Sequence, residues 1–439
     1  MPEVATERGT VELLRDLLRF DTSNPPGAER RCLEFLRATL DRAGISTWML
    51  SCDPERPNLL ARIPGRGEAP PLLLYGHVDV VPAGTADWTH PPFAAELADG
   101  AIWGRGALDM KAGVALIVTA ATRLAEETEP PPGDVLIALT SDEEAGSHTG
   151  MRFLVEEHPQ EWDGIRHAFS EVGGMTLWVG EERLTPVQVA EKQRCVIRAT
   201  VSGRGGHAAA VVQETAAGCL GRFLDALDTR LLPFRLTEAA AIVLEAVAEQ
   251  LGGDRAAALR RITAGADPAG ELPRLGAFGA VLEPLLRDTA IPTAVGGWIA
   301  TNVIPTELHV DLDVRILPGG SPEGVVAQLE ALVQVPARWE IRHREPAIEA
   351  AIDLSQLELL RSVAAEHEPE APVVPWMLPG YTDARYLSAL GIQTYGFLPL
   401  RLPSTITTGL MHAPDERVPI DSIEPGVECL LSAVRRYRG

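Results

Sequence analysis

The sequence predicts an α/β protein with a mixed sheet, interrupted in the middle of the chain by a second, α+β domain. In the first part of the chain, apolar runs of strand length alternate with amphipathic helical segments, as in a sheet covered by helices on both faces. The pattern changes near Arg194 and resumes near Pro346. We therefore expect a discontinuous domain made of residues 1–194 and 341–439, with residues 195–340 inserted into it.

The elements of the first segment follow from these patterns in chain order. We predict helices over 11–20, 30–43, 114–127 and 150–157, and strands over 45–50 and 58–63 and at "PLLLYGHVDVV", "VLIALTSDEEAGS" and "HAFSEVGG".

The inserted segment has a different pattern of apolar and polar residues. We predict a strand at "CVIRATVSGRGGHAAA", helices over 213–228 and 321–333, helical spacing over 235–290, and two strands within "GGWIATNVIPTELHVDLDVRILPGG". The second of these strands alternates apolar with charged residues, which is typical of an antiparallel strand buried on one face.

Composition excludes several classes of partner. The 439 residues include 39 Lys and Arg against 61 Asp and Glu, a net charge of -22 that repels nucleic acid and anionic lipid. The 5 cysteines form no C-x-x-C pair, so neither a disulfide framework nor a thiolate zinc site is expected. The amino-terminal stretch has mixed charge, and no apolar run is long enough to span a membrane. We expect a soluble, cytoplasmic protein with no nucleic-acid or membrane partner.

The stretch "LLYGHVDVVP" places His77 and Asp79 at the end of an apolar strand. Buried parallel strands are almost uniformly apolar, so ionisable residues belong at their ends, where open α/β sheets bind ligands. Residues two apart on an extended strand point the same way, so these two side chains can act together. A core histidine satisfied by its neighbouring carboxylate explains the pair equally well. The pair alone therefore predicts no site.

Further ionisable residues occupy similar positions. Asp109 lies in a glycine-rich loop before a helix, Glu143, Glu144 and Glu171 follow apolar strands, and His412 lies in a loop after an apolar segment. Each is weak evidence alone, since a "DEE" is usually a solvated turn. Together, converging carboxylates would repel one another unless a cation neutralised them. Imidazole and carboxylate without cysteine suit zinc, and also manganese or cobalt. Because successive strand side chains point apart, one of the two adjacent glutamates can be a ligand while the other faces water.

A series of motifs in this chain resembles the M20 zinc metallopeptidases. That family includes glutamate carboxypeptidase, aminoacylase-1, acetylornithine deacetylase, succinyl-diaminopimelate desuccinylase and carboxypeptidase S. The motifs occur in the family's order, cover nearly the whole chain and are "GHVDVVP", "WGRGALDMKAG", "TSDEEAGS", "SEVGG", "GRGGHAA", "NVIP" with "DVRILPGG", "YTDARYL" and "MHAPDERV". The resemblance implies a mixed-sheet zinc-peptidase catalytic domain with an inserted α+β lid or dimerisation domain.

The resemblance also implies two zinc ions, for which Co²⁺ or Mn²⁺ can substitute. Asp109 would bridge the two ions. His77 and Glu171 would complete one site, and Glu144 and His412 would complete the other.

Two further catalytic roles come from the same resemblance. Asp79 would hold the imidazole of His77 in the correct tautomer, as carboxylates beside metal-bound histidines do. Glu143 would be the general base. The peptide bond between Asp109 and Met110 would be cis.

The inserted domain would supply groups that contact the substrate. His207 matches a family histidine that reaches the active site of the partner subunit in a homodimer and helps to hold the oxyanion. A turn histidine beside glycines is the plainer interpretation of the residues alone. Asn302 and Arg315 match lid residues that contact substrate, and the guanidinium of Arg315 suits a carboxylate.

The loop "LPGYTDAR" matches a substrate-side segment of the family. Thr382 and Arg385 would line the pocket, although an ion pair of Arg385 with Asp383 is an alternative. The chain departs from the family after His207, where "HAAAVVQE" lacks the usual hydroxyl residue and proline. The helical stretch 235–290 is also longer than in compact members, which brings the chain closer to the carboxypeptidase S-like and acyl-amino-acid hydrolase branches.

We therefore expect a di-zinc hydrolase that cleaves an N-acyl amino acid or a small peptide, such as a dipeptide, with a free carboxylate. One alternative is a biosynthetic deacylase of the desuccinylase or deacetylase type, and another is a non-catalytic metal-binding homologue. A serine or cysteine hydrolase is disfavoured, because no G-x-S-x-G or Cys-His pattern accompanies these motifs.

Overall fold

The computed structural model of the protein describes residues 9–347 and 351–439. The chain forms two compact units. The first comprises Met1–Val189, Ala350–Trp376 and Thr382–Gly439, and the second comprises Ala190–Glu349 and Met377–Tyr381. The predicted domain segments also contain residues 1–8 and 348–350, which lie outside the described part of the chain.

Every helix and strand predicted for the first segment is present. Short 3₁₀ helices occur at Glu143–Ala145 and Pro159–Trp162. The helices and strands, in chain order, are Thr10–Leu18 (α1), Arg30–Arg42 (α2), Ser46–Leu50 (β1), Asn58–Ile63 (β2), Leu72–His77 (β3), Glu96–Ala98 (β4), Ala101–Trp103 (β5), Lys111–Glu126 (α3), Val135–Thr140 (β6), Met151–Glu157 (α4), His167–Ser170 (β7), Leu177–Val179 (β8) and Glu182–Glu191 (β9).

The second unit contains a longer series of helices between its strands. Its 3₁₀ helices lie at Leu272–Leu275 and Glu283–Leu286. The other elements are Gln193–Ser202 (β10), Gly206–His207 (β11), Ala216–Thr229 (α5), Glu238–Leu251 (α6), Gly253–Thr263 (α7), Pro268–Glu271 (α8), Ala277–Leu282 (α9), Thr289–Gly296 (β12), Val303–Ile304 (β13), Glu307–Ile316 (β14), Pro322–Val333 (α10) and Ala337–Arg344 (β15).

The last part of the chain returns to the first unit. A 3₁₀ helix lies at Thr408–Leu410. The elements are Leu357–His367 (α11), Val373–Leu378 (β16), Ala384–Ser388 (α12), Gln393–Gly396 (β17), Arg417–Pro419 (β18) and Ile420–Arg436 (α13). Within the described residues, no helix is both long enough and apolar enough to cross a membrane.

A nine-stranded mixed sheet forms the centre of the first unit. Its order is β1-β2-β6-β3-β7-β17-β9-β16, with β8 paired to β9. Strand β3 lies parallel to both β6 and β7, whereas β1 and β2 run antiparallel to their neighbours. The carboxyl ends of β3, β6 and β7 therefore meet at one edge of the sheet, where a ligand site is expected.

Both faces of this sheet are buried, because alternate residues of β3 enter separate cores. Leu72 and Leu74 belong to a core that includes side chains of α1, α3 and α13. Leu73 and Tyr75 belong to another core, which includes side chains of α4 and α12. The expected sheet with helices on both faces is confirmed.

The second unit is built on a four-stranded antiparallel sheet in the order β12-β14-β10-β15. Its buried face packs on α5 and α10, with Phe223 and Leu329 in the same core as Ile197 and Leu312. Strand β14 alternates buried and more exposed residues, as the sequence predicted for a strand buried on one face.

Strand β12, at an edge of this sheet, was not predicted from the sequence. Helical spacing was expected up to residue 290, but the chain is extended over Thr289–Gly296. Most of this strand is exposed on both faces, so it lacks the alternation that would have predicted it. Pro292 lies within it, a residue that sheets tolerate at their edges. Conversely, the first strand expected in the following stretch is only Val303–Ile304.

Candidate metal centre

The fold brings the first group of predicted ligands to the carboxyl edge of the mixed sheet. His77 is the last residue of β3, Glu171 follows β7 directly, and Glu144 lies in the 3₁₀ helix after β6. Because these three strands are mutually parallel, their ends deliver these side chains to the same place. Asp109 joins them from the loop before α3, and the bond between Asp109 and Met110 is cis, as the family resemblance implied.

Three of these side chains form a first triad, consisting of His77, Asp109 and Glu171. His77 Nε2 lies 3.2 Å from Asp109 Oδ1 and 3.4 Å from Glu171 Oε2. Their ligand atoms all lie within 4.8 Å of one another. His77 and Glu171 are buried, so water cannot readily screen the converging charges.

A second triad, consisting of Asp109, Glu144 and His412, shares one residue with the first. His412 Nε2 lies 3.2 Å from Asp109 Oδ2 and 3.3 Å from Glu144 Oε1. These ligand atoms also lie within 4.8 Å of one another. Each carboxylate oxygen of Asp109 therefore faces one triad, which is the arrangement that a bridging carboxylate requires.

The chemistry of both triads fits divalent cations. Imidazole nitrogens and carboxylate oxygens are suitable ligands for zinc, manganese and cobalt. Among the described residues, Glu144 Oε1 is buried without a well-aligned hydrogen-bond partner, although His412 Nε2 lies 3.3 Å away, so a cation would satisfy it. Burial, and then the charge of Asp109, raises the pKa of Glu144 to about 7. Burial likewise raises the pKa of Glu171, and a bound cation would relieve both penalties.

Asp79 lies behind the first triad and fixes the groups around it. His77 Nδ1 lies 2.9 Å from the main-chain oxygen of Asp79 and 3.4 Å from its carboxylate, so a proton on Nδ1 would leave the Nε2 lone pair for a cation. The Asp79 carboxylate accepts the main-chain N–H groups of Glu143 and Glu144, each at 3.1 Å. It also accepts a 2.8 Å hydrogen bond from the side chain of Asn24.

Asn24 was not among the residues predicted for the site. The residue precedes two prolines and has the pattern of an ordinary surface loop, yet it is buried. Its amide bonds to Asp142 as well as to Asp79, so it holds the turn before Glu143 in place.

Glu143 and Glu144 diverge, but not for the reason expected. We expected the alternation of a strand to separate them, whereas both lie in the 3₁₀ helix Glu143–Ala145. Asp142, immediately before it, has a left-handed backbone with φ 69° and turns the chain out of the sheet. Glu144 enters the second triad, and Glu143 belongs to neither triad.

Glu143 is a buried carboxyl group next to the triads. Burial raises its pKa well above the ordinary value, and the charge of Glu171 adds to this shift. Arg385 Nη1 lies 3.9 Å from Glu143 Oε1. A carboxyl group with a raised pKa can both accept and donate a proton near neutral pH.

The other predicted residues of the first unit lie in the loop and helix after β16. Thr382 is buried, and its hydroxyl accepts the main-chain N–H of Ala384 at 3.1 Å. Arg385 is also buried, and its guanidinium lies over the ring of Tyr386 at 4.5 Å. Burial raises the pKa of Asp383 to about 6, and the charge of Arg385 opposes that shift.

His207, Asn302 and Arg315 belong to the second unit. His207 is exposed on β11, which pairs with β13, and its Nδ1 accepts the main-chain N–H of Ala209 at 3.2 Å. Asn302 is exposed. Arg315 Nε donates to Asp313 Oδ1 at 2.6 Å. The roles of these three residues toward a substrate remain predictions.

The fold and the two overlapping triads are those expected of a metal-dependent α/β enzyme. A model of the family described as peptidase family M20/M25/M40 matches residues 73–436. The chain therefore belongs to this family and is a hydrolase, as the motifs indicated.

Two curated relatives and one solved structure illustrate the similarity. The chain is 26% identical over 443 residues to aminoacylase-1 of Mus musculus, covering 98% of this chain and 96% of that protein. It is 29% identical over 437 residues to succinyl-diaminopimelate desuccinylase of Cereibacter sphaeroides, covering 94% and 95%. An M20 family metallo-carboxypeptidase from Sulfolobus solfataricus has the same fold, with a TM-score of 0.72 at 16% identity over 98% of this chain and 99% of that one.

Proposed function

We propose that this protein is a di-zinc hydrolase that cleaves the amide or peptide bond of an N-acyl amino acid or a small peptide with a free carboxylate. The observation that carries the proposal is the pair of triads that share Asp109, with the buried carboxyl group of Glu143 beside them. The similarity to aminoacylase-1 supports an acylated amino acid as substrate. The proposal includes a catalytic domain of residues 1–194 and 341–439, a lid of residues 195–340 and a cytoplasmic location.

Each triad would hold one zinc ion. His77 and Glu171 would bind one ion, Glu144 and His412 would bind the other, and Asp109 would bind both. Zinc in these positions would supply Lewis acidity, which lowers the pKa of bound water and polarises a carbonyl group.

Glu143 would act as the general base. Its carboxylate would accept a proton from the attacking water and later deliver it to the departing nitrogen. Its burial supports this role, because the neutral acid that forms between the two transfers is favoured in an apolar environment. The hydrogen bond from its main-chain N–H to Asp79 holds it in place.

The remaining predicted residues would orient the substrate. Arg315 would bind the substrate carboxylate. Its guanidinium has five N–H donors, and the bonds to Asp313 use only Nε and Nη2. His207 of the partner subunit and Asn302 would hold the developing oxyanion and the substrate carbonyl. Thr382 and Arg385 would line the substrate pocket.

The substrate class is tested by measuring amine release from a mixed panel of N-acyl amino acids, N-succinyl amino acids and dipeptides. We expect zinc-loaded protein to release amine from N-acyl amino acids or dipeptides, and chelator-treated protein to release none. Release from the succinylated compounds alone would identify the biosynthetic deacylase instead. Release from no compound, with zinc bound, would favour a non-catalytic metal-binding protein.

We also propose that the protein is a homodimer formed through the second unit. Strand β12 is an edge of the four-stranded sheet, and Ile291 and Val295 on it are 60% and 47% exposed. An exposed apolar edge strand offers unpaired main-chain groups to a second strand. An isologous contact would pair this strand with its own copy.

The proposed β12 contact predicts the oligomeric state of the wild type and of a variant. We expect the wild-type protein to elute as a dimer and Ile291→Lys to elute as a monomer, because the lysine would bring like charges together across the two-fold axis. Light scattering coupled to size-exclusion chromatography measures both masses. Leu390→Lys, at an exposed apolar position of the first unit, is the matched control and should remain dimeric. A dimeric Ile291→Lys protein would exclude β12 as the interface.

A further inference from the structure

Glu416 is a fully buried carboxylate in the loop that follows His412. Its two oxygens accept main-chain N–H groups from the loop that carries Asp109. These donors are Gly106 at 3.0 Å, Leu108 at 2.7 Å and Asp109 itself at 3.0 Å. One side chain near the end of the chain therefore fixes the backbone beside the shared ligand of both triads.

Arg105 completes the connection between the two loops. Its Nη1 donates to Glu416 Oε2 at 2.6 Å, and its Nη2 donates to the main-chain oxygen of His412 at 3.2 Å. The Arg105 side chain is 2% exposed, and its guanidinium lies over the ring of Trp88 at 5.0 Å. The main-chain N–H of Gly104 donates to the Glu416 carbonyl oxygen at 2.9 Å, which joins the same two loops again.

The free-energy cost of burying the Arg105–Glu416 ion pair indicates its role. A buried ion pair gains little stability over apolar residues of similar size, because both charges lose their hydration. Here the carboxylate receives four hydrogen bonds from the Asp109 loop, three from main-chain N–H groups and one from the Arg105 side chain. Removing the carboxylate would leave these donors without their acceptor, so the geometry of the loop depends on it.

The two triads differ in how their other ligands are held. In the first triad, His77 ends β3 and Glu171 follows β7, so the sheet itself positions both. In the second triad, His412 lies in a loop, has a left-handed backbone with φ 63° and is 52% exposed at its side chain. The sheet does not hold this residue, whereas Arg105 bonds directly to its main chain.

We propose that Glu416 and Arg105 are positioning residues that hold Asp109 and His412 at the separation the second triad needs to bind its cation. The inference rests on the proposed two-metal site. It predicts that the two triads lose cation affinity to different extents when Glu416 is replaced. Loss of Glu416 should weaken the second site more than the first, because Asp109 serves both sites but β3 and β7 still position the other two ligands of the first site. Substitution of a group that orients a metal ligand typically lowers metal affinity by about 10- to 100-fold.

The test is a cobalt titration of the metal-free protein, followed by visible absorption and calorimetry. We expect the wild type to bind two equivalents of Co²⁺. Glu416→Gln should bind the second equivalent about 10- to 100-fold more weakly, with a smaller loss of affinity for the first. Glu416→Asp keeps the charge and should restore part of the lost affinity.

Two further variants separate positioning from general stability. Tyr437→Phe removes a buried contact with His167 in the same unit without touching a metal ligand, so it should bind both equivalents like the wild type. Arg105→Lys keeps the positive charge but loses the two-pronged contact with Glu416 and His412, and should also weaken the second equivalent. If Glu416→Gln does not fold, Arg105→Lys tests the proposal in its place.

The outcomes distinguish this inference from the proposed function. Two equivalents of unchanged affinity in both Glu416→Gln and Arg105→Lys would overturn the positioning role, as would an equal loss at both sites. A wild-type protein that binds fewer than two equivalents would overturn the two-metal proposal itself, and the inference with it.

Discussion

Glu143→Gln is expected to lower kcat by about 10²- to 10⁴-fold, the usual contribution of a general acid–base group. The amide keeps the shape of the side chain but cannot accept the proton of the attacking water. Because Glu143 belongs to neither triad, the variant should retain its bound metal. Steady-state kinetics with the best substrate from the amine-release panel, together with metal analysis of the same sample, measures both quantities.

The matched control for this variant is Glu157→Gln at the exposed end of α4, which should retain wild-type activity. A loss of less than about tenfold in Glu143→Gln would show that another group moves the proton. A variant that lost its metal as well would indicate that Glu143 supports the ligands instead.

Asp109→Asn is expected to abolish activity and to reduce the bound metal at both sites. Asp109 is the one residue shared by the two triads, and each of its oxygens lies 3.2 Å from an imidazole nitrogen. Burial opposes its ionisation, but hydrogen bonds from His412 and His77 outweigh this effect and hold its pKa below the ordinary value. The native group is therefore an anion. Asparagine removes the charge and leaves one oxygen for two cations.

Metal content per chain, measured by elemental analysis after dialysis, is the direct test. Asp99→Asn, in an exposed turn of the same unit, is the control and should keep full metal content and activity. An Asp109→Asn protein with its full metal content would show that this residue does not bridge the two cations.

Much of the site was predictable because its signals are local. His77, Glu143, Glu144 and Glu171 each follow a long apolar run, and a buried parallel strand has such a run with polar residues at its end. The relative direction of the strands then follows from the alternation of helices and strands. His412 was different, since only the match of "MHAPDERV" to the family connected it to the others.

The parts that were missed depend on tertiary contacts. Glu416 has the local sequence of a surface charge, and its burial exists only because the distant Asp109 loop closes over it. Asn24 is likewise defined by partners far along the chain. Strand β12 is extended because β14 pairs with it, whereas its own residues show no period of two.

The second triad joins positions that are far apart in the chain, since the entire second unit lies between Asp109 and His412. A cation held by both residues would therefore work as a reversible cross-link that closes a very long loop. The entropic cost of closing such a loop grows slowly with its length, and the bound cation would offset part of this cost in the folded state. Metal supply would then set the stability of the folded protein in addition to its activity, since any ligand bound only by the native state shifts unfolding to higher temperature.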